Sequence, residues 1–236
     1  MALFALADLH LAKDIDKPMD VFGPMWDRYM ERIEANWKAS VTDEDTVLIP
    51  GDISWATYLS EVDRDFAFID SLPGKKIFSR GNHDYWWTTV RKMEKYLEEK
   101  GFGTISFLQN NAVEVESCLI GATRGWMLPN DAGFGEDDEK IYNRELARLS
   151  LCIKAMDQED PEHKLKRIMM MHYPPLTKSM PKTDFTTALV EGGIDLCVYG
   201  HLHALGHKLI KEDADYKTVF KCVAADYVRF VPQRIV

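Results

Sequence analysis

Thr46-Val47-Leu48-Ile49-Pro50-Gly51-Asp52-Ile53-Ser54-Trp55 is an apolar, β-branched run that breaks on a glycine and an aspartate. Its first half reads as a buried strand. Asp52, directly behind Gly51, then falls on a tight turn at the strand's carboxyl end, where open α/β sheets bind their ligands. Glycine at that point permits φ > 0 and a close approach of backbone to a metal or phosphate.

The device recurs. Leu3-Phe4-Ala5-Leu6-Ala7 ends in Asp8-Leu9-His10, and Lys76-Ile77-Phe78-Ser79 runs into Gly81-Asn82-His83-Asp84. Arg167-Ile168-Met169-Met170-Met171 ends at His172, and Leu196-Cys197-Val198-Tyr199 runs into Gly200-His201-Leu202-His203. Five apolar runs thus deliver Asp, Asn or His at their downstream ends, and together they predict a metal site. Five of the seven histidines fall in these blocks, and clustered His and Asp point to metal rather than to packing.

The spacing between the blocks sets the rest of the fold. A polar loop with Pro18, Gly23 and Pro24 leads to a helix over 25–38, followed by a turn at 42–45 before the Asp52 strand. A second helix carries Leu59, Val62, Phe66 and Ile69, and a third runs from Val90 to Gly101. Strand, ligand loop and helix in alternation predict a largely parallel sheet. The pattern then changes: 104–108, 112–116 and 118–122 read as an antiparallel meander. A long helix over 138–157 and another near 184–191 follow, and strands around 205–211 and 216–223 close the sheet. Two packed mixed sheets with helices on their outer faces account for this strand count, in one domain spanning 1–236.

A net charge of −9 argues against general affinity for nucleic acid or anionic membrane. It leaves a nucleotide substrate open, because divalent cations reverse the local sign. Cys118, Cys152, Cys197 and Cys222 form no Cys-x-x-Cys pair and read as buried, reduced thiols. The N-terminus lacks a basic leader and no apolar run approaches the ~20 residues of a membrane span, so a cytoplasmic protein is expected.

Asp8, His10, Asp52, Asn82, His172, His201 and His203 offer imidazole, carboxylate and amide donors without thiolate. That set suits divalent transition metals such as Mn, Fe, Zn, Ni or Co. Seven donors are too many for one such ion and suit two, ~3.5–4 Å apart, sharing a carboxylate. In order and spacing, the five blocks resemble the signature of calcineurin-like metallophosphoesterases, over residues 8 to 203. The resemblance implies a four-layer α/β/β/α sandwich. It also implies one ion on Asp8, His10 and His203, another on Asn82, His172 and His201, and Asp52 between them. His83 would be a general acid facing the leaving oxygen rather than a ligand. The activity implied is hydrolysis of a small phosphomonoester or phosphodiester, a nucleotide among the candidates. A nuclease of the same superfamily is one alternative, though it would need a basic groove. A catalytically silent metal-binding scaffold is another, though it should have lost ligands or the acid.

Other residues admit two readings. Asp84 either caps the following helix or orients His83. Tyr85-Trp86-Trp87 suggests packing before base stacking. Arg80 and Arg124 are candidate phosphate clamps or surface ion-pair partners, and Lys178 is a weaker candidate. Glu136-Asp137-Asp138-Glu139 reads as a helix start rather than a cation loop, and Gly133-Phe134-Gly135 is too short for a nucleotide loop. His163 and His207, the latter expected in a strand, are ordinary surface or packing residues.

Overall fold

The structure, a computed structural model, describes residues 1–17, 19–212 and 216–236; Pro18 of the first loop lies outside them. Strands β1 (Leu3–Ala5), β2 (Thr46–Pro50), β3 (Lys75–Ser79) and β4 (Ile105–Phe107) form a parallel array. The last strand of the chain, β10 (Gln233–Arg234), pairs antiparallel to β1, giving the order β10-β1-β2-β3-β4. A second sheet follows chain order from β5 (Ala112–Val115) through β6 (Cys118–Thr123), β7 (Lys166–Met171) and β8 (Leu196–Tyr199) to β9 (Val219–Cys222). Only its β5–β6 pair is antiparallel.

Alternation along the strands builds the layers, because successive strand side chains face opposite sides of a sheet. Leu3, Ala5, Leu48 and Ile77 of the first sheet meet Ile120, Ala122, Ile168, Met170 and Val198 of the second in one buried cluster between the sheets. The alternate residues face outward. Phe4, Val47, Ile49 and Phe78 pack against helices α1 (Tyr29–Ser40), α2 (Asp63–Asp70) and α3 (Val90–Lys100) through Trp37, Phe66 and Met93. Leu119, Met169, Met171 and Tyr199 pack against α4 (Glu136–Glu159) and α5 (Asp184–Glu191) through Leu149, Met156 and Phe185. This is the α/β/β/α sandwich, with both faces of each sheet buried, as parallel sheets require.

Three expectations need correction. Residues 105–107 do not open a meander: β4 joins the first sheet parallel to β3, and the crossing to the second sheet comes after it. A run of three residues carries no mark of which neighbour it will pair with. Residues 205–211 form no strand but the 3-10 helix Ala204–Leu209, with His207 in it. β8 already has its next partner in β9, so the segment leaving His203 has no sheet edge to join. The helix expected from residue 25 begins as a 3-10 turn, Pro24–Trp26, and becomes α-helical only at Tyr29.

The parallel strands bring their carboxyl ends to one edge of the sandwich. There the sheets join: Ala7 N–H donates to the Val223 carbonyl at 2.8 Å and Ala225 N–H to the Ala7 carbonyl at 3.0 Å. All four cysteines are buried and free. Among the described residues no helix is long and apolar enough to cross a membrane.

Candidate metal centre

At the strand ends the backbone turns sharply, and the ligand blocks are fastened to one another. Gly51 has φ 90°, and Asp52 behind it φ 55°; Asp8, His10 and His201 also lie in the left-handed region, at 60°, 46° and 71°. For the residues other than glycine such conformations cost roughly 1 kcal/mol or more each and persist where the surroundings over-determine them. Here they do. Asp84, fully buried, accepts the backbone N–H groups of Asp52, Ile53 and Gly81 at 2.8–2.9 Å. Asp84 is therefore neither a helix cap nor the partner of His83; it ties the Asp52 turn to the Gly81 turn. Asp8 accepts the His201 N–H at 3.0 Å, and Asp52 Oδ1 accepts the His83 N–H at 2.8 Å. The Tyr29 hydroxyl donates to the His10 carbonyl at 2.7 Å.

The seven predicted side chains converge. One atom each from Asp8, His10 and His203 lie within 4.8 Å of one another, as do atoms of Asp8, Asp52 and His172. His10 Nε2 is 3.3 Å from His203 Nε2. Asn82 Oδ1 is 2.7 Å from His172 Nε2 and 2.9 Å from His201 Nδ1. Asp52 Oδ2 stands between the two groups, 3.7 Å from His10 Nε2 and 3.4 Å from His172 Nε2.

The electrostatics fit cations. Asp8 and Asp52 are 0% and 1% exposed, and among the described residues neither has a lysine or arginine in ion-pair range. Buried carboxylates in that position are paired or coordinate a metal. Burial, then the charges of Asp84 and Asp8, push the Asp52 carboxyl well above its usual range. That is the direction expected for carboxylates crowded together before any cation relieves them. Burial likewise holds His172 and His201 down to about 3, and pushes His10 well below the usual imidazole range. Neutral imidazole is the form that binds metal. His172 Nδ1 lies 3.1 Å from the Pro50 carbonyl, which can only accept, so Nδ1 carries the hydrogen and the Nε2 lone pair faces the site.

One supporting residue went unrecognised in the sequence. Asp226 Oδ1 is 2.8 Å from His203 Nδ1, and Oδ2 accepts the Ala204 N–H at 3.2 Å. A carboxylate behind a metal-facing imidazole fixes its tautomer and raises its basicity. For His203, burial pulls downward, but the Asp8 charge and the hydrogen bonds that the imidazole donates to Asp226 and Asp8 outweigh it and lift it to about 10. The signal was present: Val223-Ala224-Ala225 is a sixth apolar run ending in an acid. It was hidden because Asp226 follows the last block.

The remaining candidates separate. His83 is half-buried, its ring 5.7 Å from that of His10 and 4.3 Å from that of Trp55, and its Nδ1 has no hydrogen-bond partner among the described residues. Trp86 and Trp87 are buried in the first core, whereas Tyr85 is exposed. The acidic run starts α4, with Asp138 accepting the Gly135 N–H. His163 lies away from the site near Asp157, Lys178 is exposed, and His207 Nε2 is 3.1 Å from Asp226. Arg80 and Arg124 face a separate cleft, described below.

No curated protein matches the chain. Among solved structures it is similar to AQ665 from Aquifex aeolicus, a protein of unknown function, at 14% identity and TM-score 0.53, covering 99% of this chain and 95% of that one. TT1561 of Thermus thermophilus aligns at 12% identity and TM-score 0.51, over 88% and 85%. Likeness at such identities speaks for the fold alone. The model of the calcineurin-like phosphoesterases, however, matches residues 1–205, a span holding every block that converges on Asp52. The Asp/His cluster fits a metal-dependent phosphoesterase, and the chain belongs to the calcineurin-like phosphoesterase family.

Proposed function

We propose that the protein hydrolyses small phosphoesters with two divalent transition-metal ions. Asp8, His10 and His203 would hold one ion, Asn82, His172 and His201 the other, with Asp52 shared. The observation that carries this reading is the position of Asp52 Oδ2, within 3.7 Å of a nitrogen from each donor group. Bound cations would supply positive charge at the phosphoryl oxygens and acidity to a water. The chain's own part is to hold the His10, His172 and His201 imidazoles neutral, seat the ester and deliver a proton.

His83 would supply that proton. It borders a cleft of about 610 Å³, counted with its open mouth, lined by Met19, Phe22, Trp26 and Trp55 beside His10 and His203. These walls suit the organic part of a small ester. Burial, then the nearby Lys17 charge, keeps the His83 imidazole below its usual range. An arriving phosphoryl dianion works in the opposite direction and favours the protonated form that a general acid needs.

The test is metal content and hydrolysis on one preparation. Chelated protein should be inactive toward a chromogenic phosphodiester and recover on addition of Mn²⁺. Asp52→Asn should lose both ions, because an amide cannot bridge two cations as a carboxylate does. A variant that retained two ions per chain and near-normal turnover would refute the shared role.

A further inference from the structure

A second, narrow cleft opens where β3 and β6 end, and Ser79, Arg80, Thr123, Arg124, Glu145 and Arg148 line it. Five buried polar atoms in it lack a partner among the described residues: Ser79 Oγ, Arg80 Nε, Thr123 Oγ1, Arg124 Nε and Glu145 Oε2. Ser79, Thr123 and Glu145 are themselves at most 2% exposed. Buried polar groups are ordinarily satisfied, and leaving one unmade costs about 1–3 kcal/mol. Five in one small space indicate that something polar belongs there.

Charge says what kind of group. Three arginines line the cleft with a single carboxylate, Glu145, whose Oε1 accepts from Arg148 Nη1 at 2.6 Å and lies 3.4 Å from Arg124 Nη2. The balance is two positive charges. Four of the five open atoms can donate, and Glu145 Oε2 alone can only accept. Guanidinium forks with hydroxyls recognise phosphoryl oxygens. The cleft also adjoins the metal centre. Arg80 stands two residues before Asn82, and the Arg124 carbonyl accepts the N–H groups of His172 and Tyr173 at 3.1 and 3.0 Å.

We propose that this cleft is an oxyanion subsite for a second phosphoryl group of the substrate, so that the enzyme prefers organic diphosphates to monophosphates. The proposal rests on the metal centre acting on phosphoesters. Arg148 is its most separable member, since it sits on α4 and is the most exposed of the lining side chains in the ion-paired set.

Two measurements test it on the metal-loaded full chain. Crystals soaked in tungstate should show an anomalous peak between the three arginines. The inhibition constants of ADP and AMP against p-nitrophenyl phosphate should favour ADP. In Arg148→Gln that preference should fall about tenfold, the loss of one charge-assisted hydrogen bond, and Arg148→Lys should recover part of it. Water alone in the cleft, with tungstate at the metal centre, would overturn the subsite. Tungstate in the cleft with an unchanged ADP-to-AMP ratio in Arg148→Gln would make it a separate oxyanion site and overturn the diphosphate assignment. A protein that hydrolyses no phosphoester would sink the functional reading and the substrate with it, while the tungstate peak would still report on the cleft.

Discussion

Asn82 and His83 are adjacent, yet their side chains meet different surroundings. Asn82 Oδ1 lies against His172 and His201, whereas the His83 ring lies against Trp55 and His10. On the proposed roles, metal retention and proton delivery would therefore be separable by mutation. A general acid contributes roughly 10²–10⁴-fold to the chemical step, and only where the departing oxygen needs a proton. An alkoxide does; p-nitrophenolate does not. His83→Ala should keep its metals, lose much of its rate on alkyl phosphoesters and lose clearly less on p-nitrophenyl esters. Equal losses on both, with metals intact and chemistry rate-limiting, would leave His83 a positioning role. At the same scale, small residues matter as much as charged ones. A Cβ at Gly200 would lie 2.3 Å from Asp8 Oδ2, and one at Gly81 2.0 Å from Asp52 Oδ1, so these glycines are where the blocks touch.

Among the elements, β3 carries an unusual burden. Lys76 is fully buried in it, donating through Nζ to the Leu72 carbonyl and to Thr104 Oγ1. Burial holds the ammonium down to about 8. A lysine whose folded-state value lies below its unfolded value of 10.5 binds fewer protons when folded between the two. Stability then rises with pH across that window. The stability of the natural protein relative to Lys76→Met should therefore increase from pH 8 to above pH 10, by roughly 3 kcal/mol at most. Urea unfolding of both proteins at pH 7, 8.5 and 10 measures it. A constant difference would mean that Lys76 titrates normally.

For the whole molecule, the donors divide between the sheets: Asp8, His10, Asp52 and Asn82 follow strands of the first, and His172, His201 and His203 strands of the second. Metal held by both groups joins the two halves of the sandwich. A ligand at 100 times its Kd stabilises by about 2.7 kcal/mol, which for a chain of this size is roughly 5–10 °C in Tm. Divalent metal should raise Tm by that order, and chelation should reverse it. The fold itself should also lose stability in acid. His172 and His201 stay neutral in the fold, held to about 3, while the unfolded chain protonates them near 6.5. Below that value the unfolded state binds more protons, so stability falls as pH drops from about 6.5. Scanning calorimetry at pH 5 and 7.5, with and without metal, would expose the opposite trend if it existed.

The amino-acid sequence by itself determined the strands that end in candidate donors, because an apolar run followed by Gly-Asp, Gly-Asn-His or Gly-His is a local pattern. It determined the donor chemistry for the same reason, and the two-layered core through the alternation of residues such as Ile168 and Met169. Tertiary structure decided what depends on partners far along the chain. β4 joined the first sheet because β3 offered an open edge, and 204–209 coiled because β9 had taken the edge of β8. Asp84 became the anchor of the Asp52 turn because its carboxylate meets backbone N–H groups about thirty residues away. Asp226 stood behind His203, and Arg124 and Arg148 paired with Glu145, only once the strands aligned their carboxyl ends. The apolar run before Asp226 is a local signature, but the partner that each acid meets is not, since it is set by strand register, and register is chosen by the burial of whole faces rather than by any one residue.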